Sequence, residues 1–323
     1  MNFFTHIEIA PLAKKIDHSG KIFSIGSCFA QNMAERLECA KFNTTSSPTG
    51  ILFNPESIAA SIERMASGRG ITEEELRFAN DHWFSFDFHS SFSAADKGQA
   101  IKAMQSALDK GAEALKQADT LIVTFGTAWI YRLKESGTVV ANCHKLPQSL
   151  FERTMLSAEE IAARWSELLR TTLKGKRVIF TVSPIRHLGD GLEQNSLSKA
   201  TLRVAIAQIM KHAENASYFP SFEIMNDELR DYRFYAEDMI HPSPLAIDYI
   251  WQRFSLVAFS AQTLELIGRI EKIQRAASHR PFDAQSQSHK TFCRKQLGEI
   301  DEILRHHPTL DFQKEKDCFN AYL

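Results

Sequence analysis

Strands alternating with helices of ten or more residues predict an α/β domain with a mainly parallel sheet. Three stretches carry that prediction. Residues 21–25 are short and β-leaning, Gly26 breaks the run, and from Cys28 onward Phe29, Met33 and Leu37 recur every four residues. That is strand, tight turn and a helix with one apolar face. The run TLIVTFG (120–126) is apolar and β-branched and closes on glycine, as a buried parallel strand does. KRVIFTV (176–182) is the next such strand and ends in the polar cluster of residues 183–187.

The remaining elements follow in order. Residues 1–20 read as an irregular lead-in. Residues 43–55, NTTSSPTGILFNP, are rich in turn formers and read as a loop that folds back toward the start of the first helix, with Gly50 allowing close backbone approach. Residues 56–66 form a helix with Ile58, Ile62 and Met65 on one face. Residues 82–93 alternate aromatic and polar side chains, as in a hairpin or extended loop whose aromatics cover the core. Helices are expected over 99–117 and 157–173, with a hairpin at Val139 and Val140 between them. A long helix is expected over 197–212, with Leu197, Val204 and Met210 among its apolar positions. Residues 222–225 read as a last short strand and 246–259 as an amphipathic helix. Residues 261–323 carry charged helical segments, a polar gap at 278–290 and no buried-strand signal. The chain thus divides into a domain over 1–258 and a helical appendage over 259–323 that packs on the domain or joins two subunits.

Composition narrows the function classes. The 323 residues are 44% hydrophobic and 24% charged with net charge −1, ordinary values for a globular protein that leave no field to draw nucleic acid or anionic membrane. No apolar run approaches the roughly 20 residues that span a bilayer. The N-terminus shows no basic start followed by an apolar core. Five cysteines (Cys28, Cys39, Cys143, Cys293 and Cys318) form no C-x-x-C pair, which points to a reduced, cytoplasmic setting. Neither G-x-x-x-x-G-K-[ST] nor G-x-G-x-x-G occurs, so no nucleotide cofactor is expected.

In open parallel sheets, ligands sit beyond the carboxyl ends of the strands. Three such ends carry polar clusters: Ser27/Cys28, Gly126/Thr127 and residues 183–187. A nucleophile at Ser27 or Cys28 would sit where a helix presents free N–H groups, which stabilise its anion and can hold an oxyanion. The bland reading makes Ser27 a cap and Cys28 a small core residue. Asp238 precedes His241 by three residues and can orient the imidazole, or can merely cap a surface turn. His144 beside Lys145, and His187 beside Arg186, suit an anionic or heavily hydroxylated substrate, or a polar network tying loops together. A metal site could draw on His89, His144, His187 and His241 with Asp238 or Asp190, yet no pair has metal-ligand spacing.

Gly26-Ser27-Cys28-Phe29-Ala30 is the signature of the GSCFA-domain family, and the chain resembles that family in further segments. These are TFGTAWIY (124–131), NCHKLP (142–147), SPIRH (183–187), SLSKATL (196–202), and YFP through DELRDYRFYAEDMIHPS (218–243). The resemblance covers roughly 20–258 and implies an SGNH/GDSL-hydrolase-like fold, a flavodoxin-like three-layer α/β/α sandwich with a mainly parallel sheet. Members of that wider group are mostly esterases, lipases and carbohydrate acyl- or deacylases, with a serine after the first strand and a D-x-x-H near the C-terminal end. Here the nucleophile position holds Cys28, and Ser27 stands where the wider group has Asp. Capsule-polysaccharide acyltransferase-like proteins with Gly-Asn-Cys resemble this arrangement. The usual oxyanion Asn is absent from Gly126-Thr127-Ala128, which leaves Thr127, the Cys28 N–H and the Gly50 N–H as substitutes.

The expected function is an acyl-ester hydrolase or acyltransferase acting on a small-molecule or glycan substrate, with Cys28 favoured over Ser27, His241 as base and Asp238 as its orienter. A sandwich that binds glycan without turnover and a metal-dependent hydrolase are the alternatives. A homo-oligomer through the C-terminal helices is the expected assembly.

Overall fold

The computed structural model describes residues 5–323; the first four residues of the lead-in lie outside the described residues. Five parallel strands form the central sheet: β1 (Lys21–Gly26), β2 (Asn43–Ser46), β5 (Thr120–Phe125), β9 (Arg177–Val182) and β10 (Ala216–Tyr218), in spatial order β2-β1-β5-β9-β10. Counted in chain order within this sheet, that is 2-1-3-4-5, the flavodoxin-like doubly wound order. A hairpin of β3 (Arg77–Ala79) and β4 (His82–Phe84) stands apart, and β6 (Trp129–Leu133), β7 (Val139–Val140) and β8 (Phe151–Met155) form a small antiparallel sheet inserted after β5.

Period-two alternation along the buried strands sends side chains into two separate cores. Phe23, Ile25, Leu121, Val123, Phe125, Val178 and Phe180 meet α2 (Pro55–Ser67), α3 (Lys97–Gln117), α4 (Ala158–Arg170) and α5 (Leu192–Met210) on one face. Ile22, Ile122 and Ile179 meet α1 (Cys28–Cys39) and α7 (Pro244–Ala258) on the other. The architecture is therefore the expected three-layer sandwich. Trp165 of α4 packs edge-on against Phe125 and Phe180 and donates its indole N–H to Pro55 O at 3.2 Å. Truncating a side chain so placed costs about 3–5 kcal/mol.

Three elements differ from their sequence-based expectations. Residues 43–46 are strand, not loop: β2 is an edge strand pairing with β1 over Lys21↔Asn43 to Ser24↔Ser46. Its polar composition, NTTS, suits a half-exposed edge and hides it from a search for apolar runs. The rest of the segment folds back as expected, with the Leu52 N–H donating to Gly26 O at 2.9 Å. Residues 222–225 are helical, within the short α6 (Ser221–Glu223) and the π-turn Ile224–Glu228; the last strand is β10. In α5 the helix is present but its face is rotated. Leu197, Val204 and Met210 are exposed, while Asn195, Ser198, Lys199, Leu202, Ala205, Ile206 and Ile209 are buried.

The chain ends in three helices, α8 (Ala261–Ser278), α9 (Gln287–His306) and α10 (Gln313–Asn320), gathered around Leu266, Ile270, Ile300, Ile303 and Phe319. They dock on the far end of α1. Lys41 pairs with Glu315 at 2.8 Å with both side chains largely buried, and the Gln274 amide donates to Cys39 O at 2.7 Å. Among the described residues, no helix is long and apolar enough to cross a membrane.

Candidate functional site

β1, β5 and β9 end side by side, in the registers Gly26↔Thr124 and Phe125↔Val182. Their ends are locked by backbone. The Ser27 N–H donates to Thr124 O at 3.2 Å and the Ser183 N–H to Phe125 O at 2.8 Å. Gly26 turns the chain at φ +143°, where an added Cβ would lie 2.2 Å from Thr124 O, so only glycine brings β1 this close to β5.

The two nucleophile candidates differ in access. Ser27 is sealed, 1% exposed, and its Oγ makes no hydrogen bond among the described residues. Cys28 opens α1 and is half-buried. Burial pushes its thiol up on balance, with its own N–H and the Lys199 charge offsetting only part of that rise. Asp238 and His241 form the expected pair: His241 Nδ1 lies 2.6 Å from Asp238 Oδ2, and Asp238 Oδ1 accepts the N–H groups of Ile240 and His241 at 2.9 and 3.0 Å. Those backbone donors, led by that of His241, hold the Asp238 carboxyl down at about 2. With Nδ1 given to the carboxylate, the neutral ring keeps Nε2 as its proton acceptor. Met239, at φ +57°, bends the turn that allows this.

The turn is docked onto the third strand end. The Arg186 N–H donates to Ile240 O at 3.2 Å, and the Arg186 guanidinium stacks over Tyr235 at 3.9 Å. Cys28 and Ile240 pack against the same apolar cluster. Among the described residues, the side chain hydrogen-bonded to the His241 ring is Asp238, and no hydrogen bond links the ring to Cys28 or Ser27.

A cavity of about 420 Å³ opens beyond β5 and β9, walled by Phe53, Trp129, Tyr131, Asn142, Arg186 and His187 among others. Thr127 reaches it; Ser27, Cys28, Asp238 and His241 do not line it. Among the described residues, buried Trp129 Nε1 and His187 Nε2 find no hydrogen-bond partner. Burial, reinforced by the Lys199 charge, lowers His187 to about 4, so its ring is neutral at pH 7.

Several expected binding groups are committed elsewhere. The Gly50 N–H donates to Ser47 O at 2.8 Å, and the Gly126 and Thr127 N–H groups both go to Phe53 O at 2.7 and 3.0 Å, so none is a spare oxyanion donor. Thr127 Oγ1 is joined to Ser198 Oγ at 3.0 Å. His144 stacks on Phe84 with Nε2 2.9 Å from Ser85 O, a loop-tying role, and Lys145 is exposed. Among the described residues, no three His, Cys, Asp or Glu side chains gather to hold a metal ion. The Asp190 side chain lies outside the described residues.

Sequence reasoning missed the polar stripe of α5. Asn195 Oδ1 accepts the His187 N–H at 3.0 Å, and Ser198 Oγ accepts the Ala128 N–H at 2.7 Å. Lys199 Nζ donates to Gly126 O at 2.6 Å and Ser183 O at 2.8 Å. The signal was present: residues 195, 198, 199 and 202 share one helical face, and that face continues into Ala205, Ile206 and Ile209.

Fold and site together define a doubly wound α/β protein with a thiol at a strand-to-helix turn and an Asp–His pair beside the same sheet edge. The GSCFA family model matches residues 21–254, and the model described as "GSCFA domain protein, C-terminal domain" matches residues 270–323. The chain belongs to the GSCFA family. No curated protein is detectably similar to it in sequence.

Proposed function

We propose that the protein is an acyl-ester hydrolase or acyltransferase acting on a carbohydrate-type substrate. The observation that carries this reading is the Asp238–His241 pair, with Nδ1 held by the carboxylate and Nε2 left to accept a proton. Cys28 is the nucleophile, since Ser27 is sealed. The thiol attacks the acyl carbon while His241 takes its proton, later returned to the leaving oxygen. Asp238 fixes the ring, and the first N–H groups of α1 face the oxyanion. Trp129 and Tyr131, with Asn142 and Arg186 beside them, suit a ring with apolar faces and hydroxylated edges.

Hydrolysis of p-nitrophenyl acetate, and transfer from acetyl-CoA, are measured beside Cys28→Ala, Ser27→Ala and His241→Ala. Loss with Cys28→Ala and His241→Ala, and retention with Ser27→Ala, is expected. Activity surviving His241→Ala removes the mechanism. A second reading, glycan binding without turnover, is favoured by the commitment of the Gly50, Gly126 and Thr127 N–H groups to backbone. Tight glycan binding with a Cys28 that thiol probes never label selects it.

A further inference from the structure

The cavity beyond β5 and β9 holds charge of one sign. Among the described residues that wall it there is no carboxylate, and Arg186 is the one permanent charge. His187 is neutral at pH 7, and the Asp238 carboxylate is committed to His241 and does not reach the cavity. Arg186 is held in place without being neutralised. Its half-buried guanidinium lies over Tyr235 at 3.9 Å and Tyr232 at 5.1 Å, which fixes the plane of the fork. Of its five N–H donors, one finds an acceptor among the described residues, and that acceptor is a carbonyl, Met239 O at 3.5 Å. The stronger link from this residue to the Asp238–His241 turn runs through its main-chain N–H to Ile240 O at 3.2 Å. A second guanidinium, that of Arg153, lies over Trp129 at 3.7 Å and Tyr131 at 6.0 Å and adds positive charge against the aromatic wall. In the same wall, buried Trp129 Nε1 is a donor that finds no acceptor among the described residues. A cleft lined by one sign of charge concentrates ligands of the other.

We propose that the cavity takes an acidic sugar, whose oxyanion is received by the Arg186 guanidinium. This rests on the carbohydrate reading and narrows it from hydroxylated ligands in general to anionic ones. The oxyanion is a carboxylate or a phosphate, since the planar fork of an arginine matches either. An anion alone would not answer the walls of Phe53, Trp129 and Tyr131, which suit the apolar face of a pyranose. A neutral sugar would leave the guanidinium without a counter-charge. A sugar that carries an oxyanion answers both. The volume, about 420 Å³, lies at the small end of the roughly 300–1,000 Å³ of ligand sites, which suits one small ligand rather than a length of polymer. Cys28 and His241 do not line the cavity, so what it holds is a part of the substrate that does not react. Contacts to such a part set selectivity and position the reacting centre. An Arg186 that only stacks on two tyrosines would explain the ring contacts alone, and would not discriminate between ligands by charge.

The test uses the folded full chain, with Cys143, a free half-buried thiol in the cavity wall, as reporter. Modification by methyl methanethiosulfonate is followed by peptide mass spectrometry at about pH 8.5, where an ordinary thiol is half ionised. Burial pushes the Cys143 thiol up to about 11, so its reaction is slow enough to time, and exposed Cys39 is the control. The probes are glucuronate, glucose 6-phosphate, glucose, glucosamine and inorganic phosphate. Glucuronate or glucose 6-phosphate is expected to protect Cys143 at a concentration about tenfold or more below that of glucose, and the better of the two identifies the oxyanion. Added salt should narrow the gap. In Arg186→Met the acidic sugars should fall to the level of glucose, with the glucose value little moved. Parity of acidic and neutral sugars in the parent protein, or protection by none of them, overturns the proposal. So does a preference that survives Arg186→Met. Equal protection by inorganic phosphate, an adventitious ion only, overturns it as well. Should Arg186→Met not fold, the comparison in the parent protein still decides. Acidic-sugar binding in a protein that turns over no ester sinks the proposed activity alone. Turnover of p-nitrophenyl acetate with no preference for acidic sugars sinks this inference alone.

Discussion

Two polar assemblies meet at one edge of the sheet, and they are built in opposite ways. The α5 stripe is buried, and each of its polar groups is tied to main chain: Asn195 to His187, Ser198 to Ala128, Lys199 to Gly126 and Ser183. The Asp238–His241 pair is local in sequence, with each side chain nearly half exposed, 45% and 46%. The first assembly fixes where strand ends lie and is expensive to disturb. The second fixes how one ring is oriented, and water screens most of its contribution to stability. Architecture and chemistry are therefore separable here, and substitutions on each side should report on different quantities.

The largest expected effect falls on the architectural side. Gly26→Ala drives a Cβ to within 2.2 Å of Thr124 O at a φ that side chains avoid. Chemical denaturation should show a loss of about 4 kcal/mol or more, or no folded protein. On the chemical side, Asp238→Asn should leave the urea midpoint little changed, since water screens the exposed pair, while ester turnover drops on the order of a thousandfold, because the imidazole loses its orienter. A fall in both by similar amounts would erase the distinction.

A third experiment uses pH. The folded-state pKa of His187, at about 4, lies below the ordinary value of 6.5. The unfolded chain therefore binds the extra proton first, and stability falls as pH drops from about 6.5 toward 4. Two and a half units correspond to on the order of 3 kcal/mol. Urea midpoints for the parent and His187→Gln should converge toward pH 4, the substitution removing this part of the slope. The smallest effect is Ser198→Ala, which leaves the buried Ala128 N–H without its acceptor. About 1–3 kcal/mol of stability should be lost, with Cys28 labelling little changed.

How far the sequence revealed this molecule depended on whether each signal was local. β5 was legible because a central parallel strand is buried on both faces, and TLIVTF is a run of apolar and β-branched residues. The Asp238–His241 pair was legible because its geometry is made within four residues. β2 was not, since an edge strand needs no apolar run. The α5 face was misread because leucine and valine were followed at positions that proved exposed. The buried stripe begins with Asn, Ser and Lys, which composition places outside. The oxyanion donors expected at Gly50 and Thr127 depended on where Ser47 and Phe53 would fold back, a contact that no spacing encodes.

The grip of the C-terminal helices on the tail of α1 has a mechanical meaning. The helix that begins at Cys28 is moored at its opposite end by Gln274, and just past that end Lys41 is tied to Glu315, both partners supplied more than two hundred residues later in the chain. A shortened protein ending before Ala261 would strand the Lys41 ammonium, which loses both the Glu315 carboxylate and the Phe312 ring it lies over. The closing segment is thus a mooring for the rod that carries the thiol, and slackening it would be felt at the sulfur.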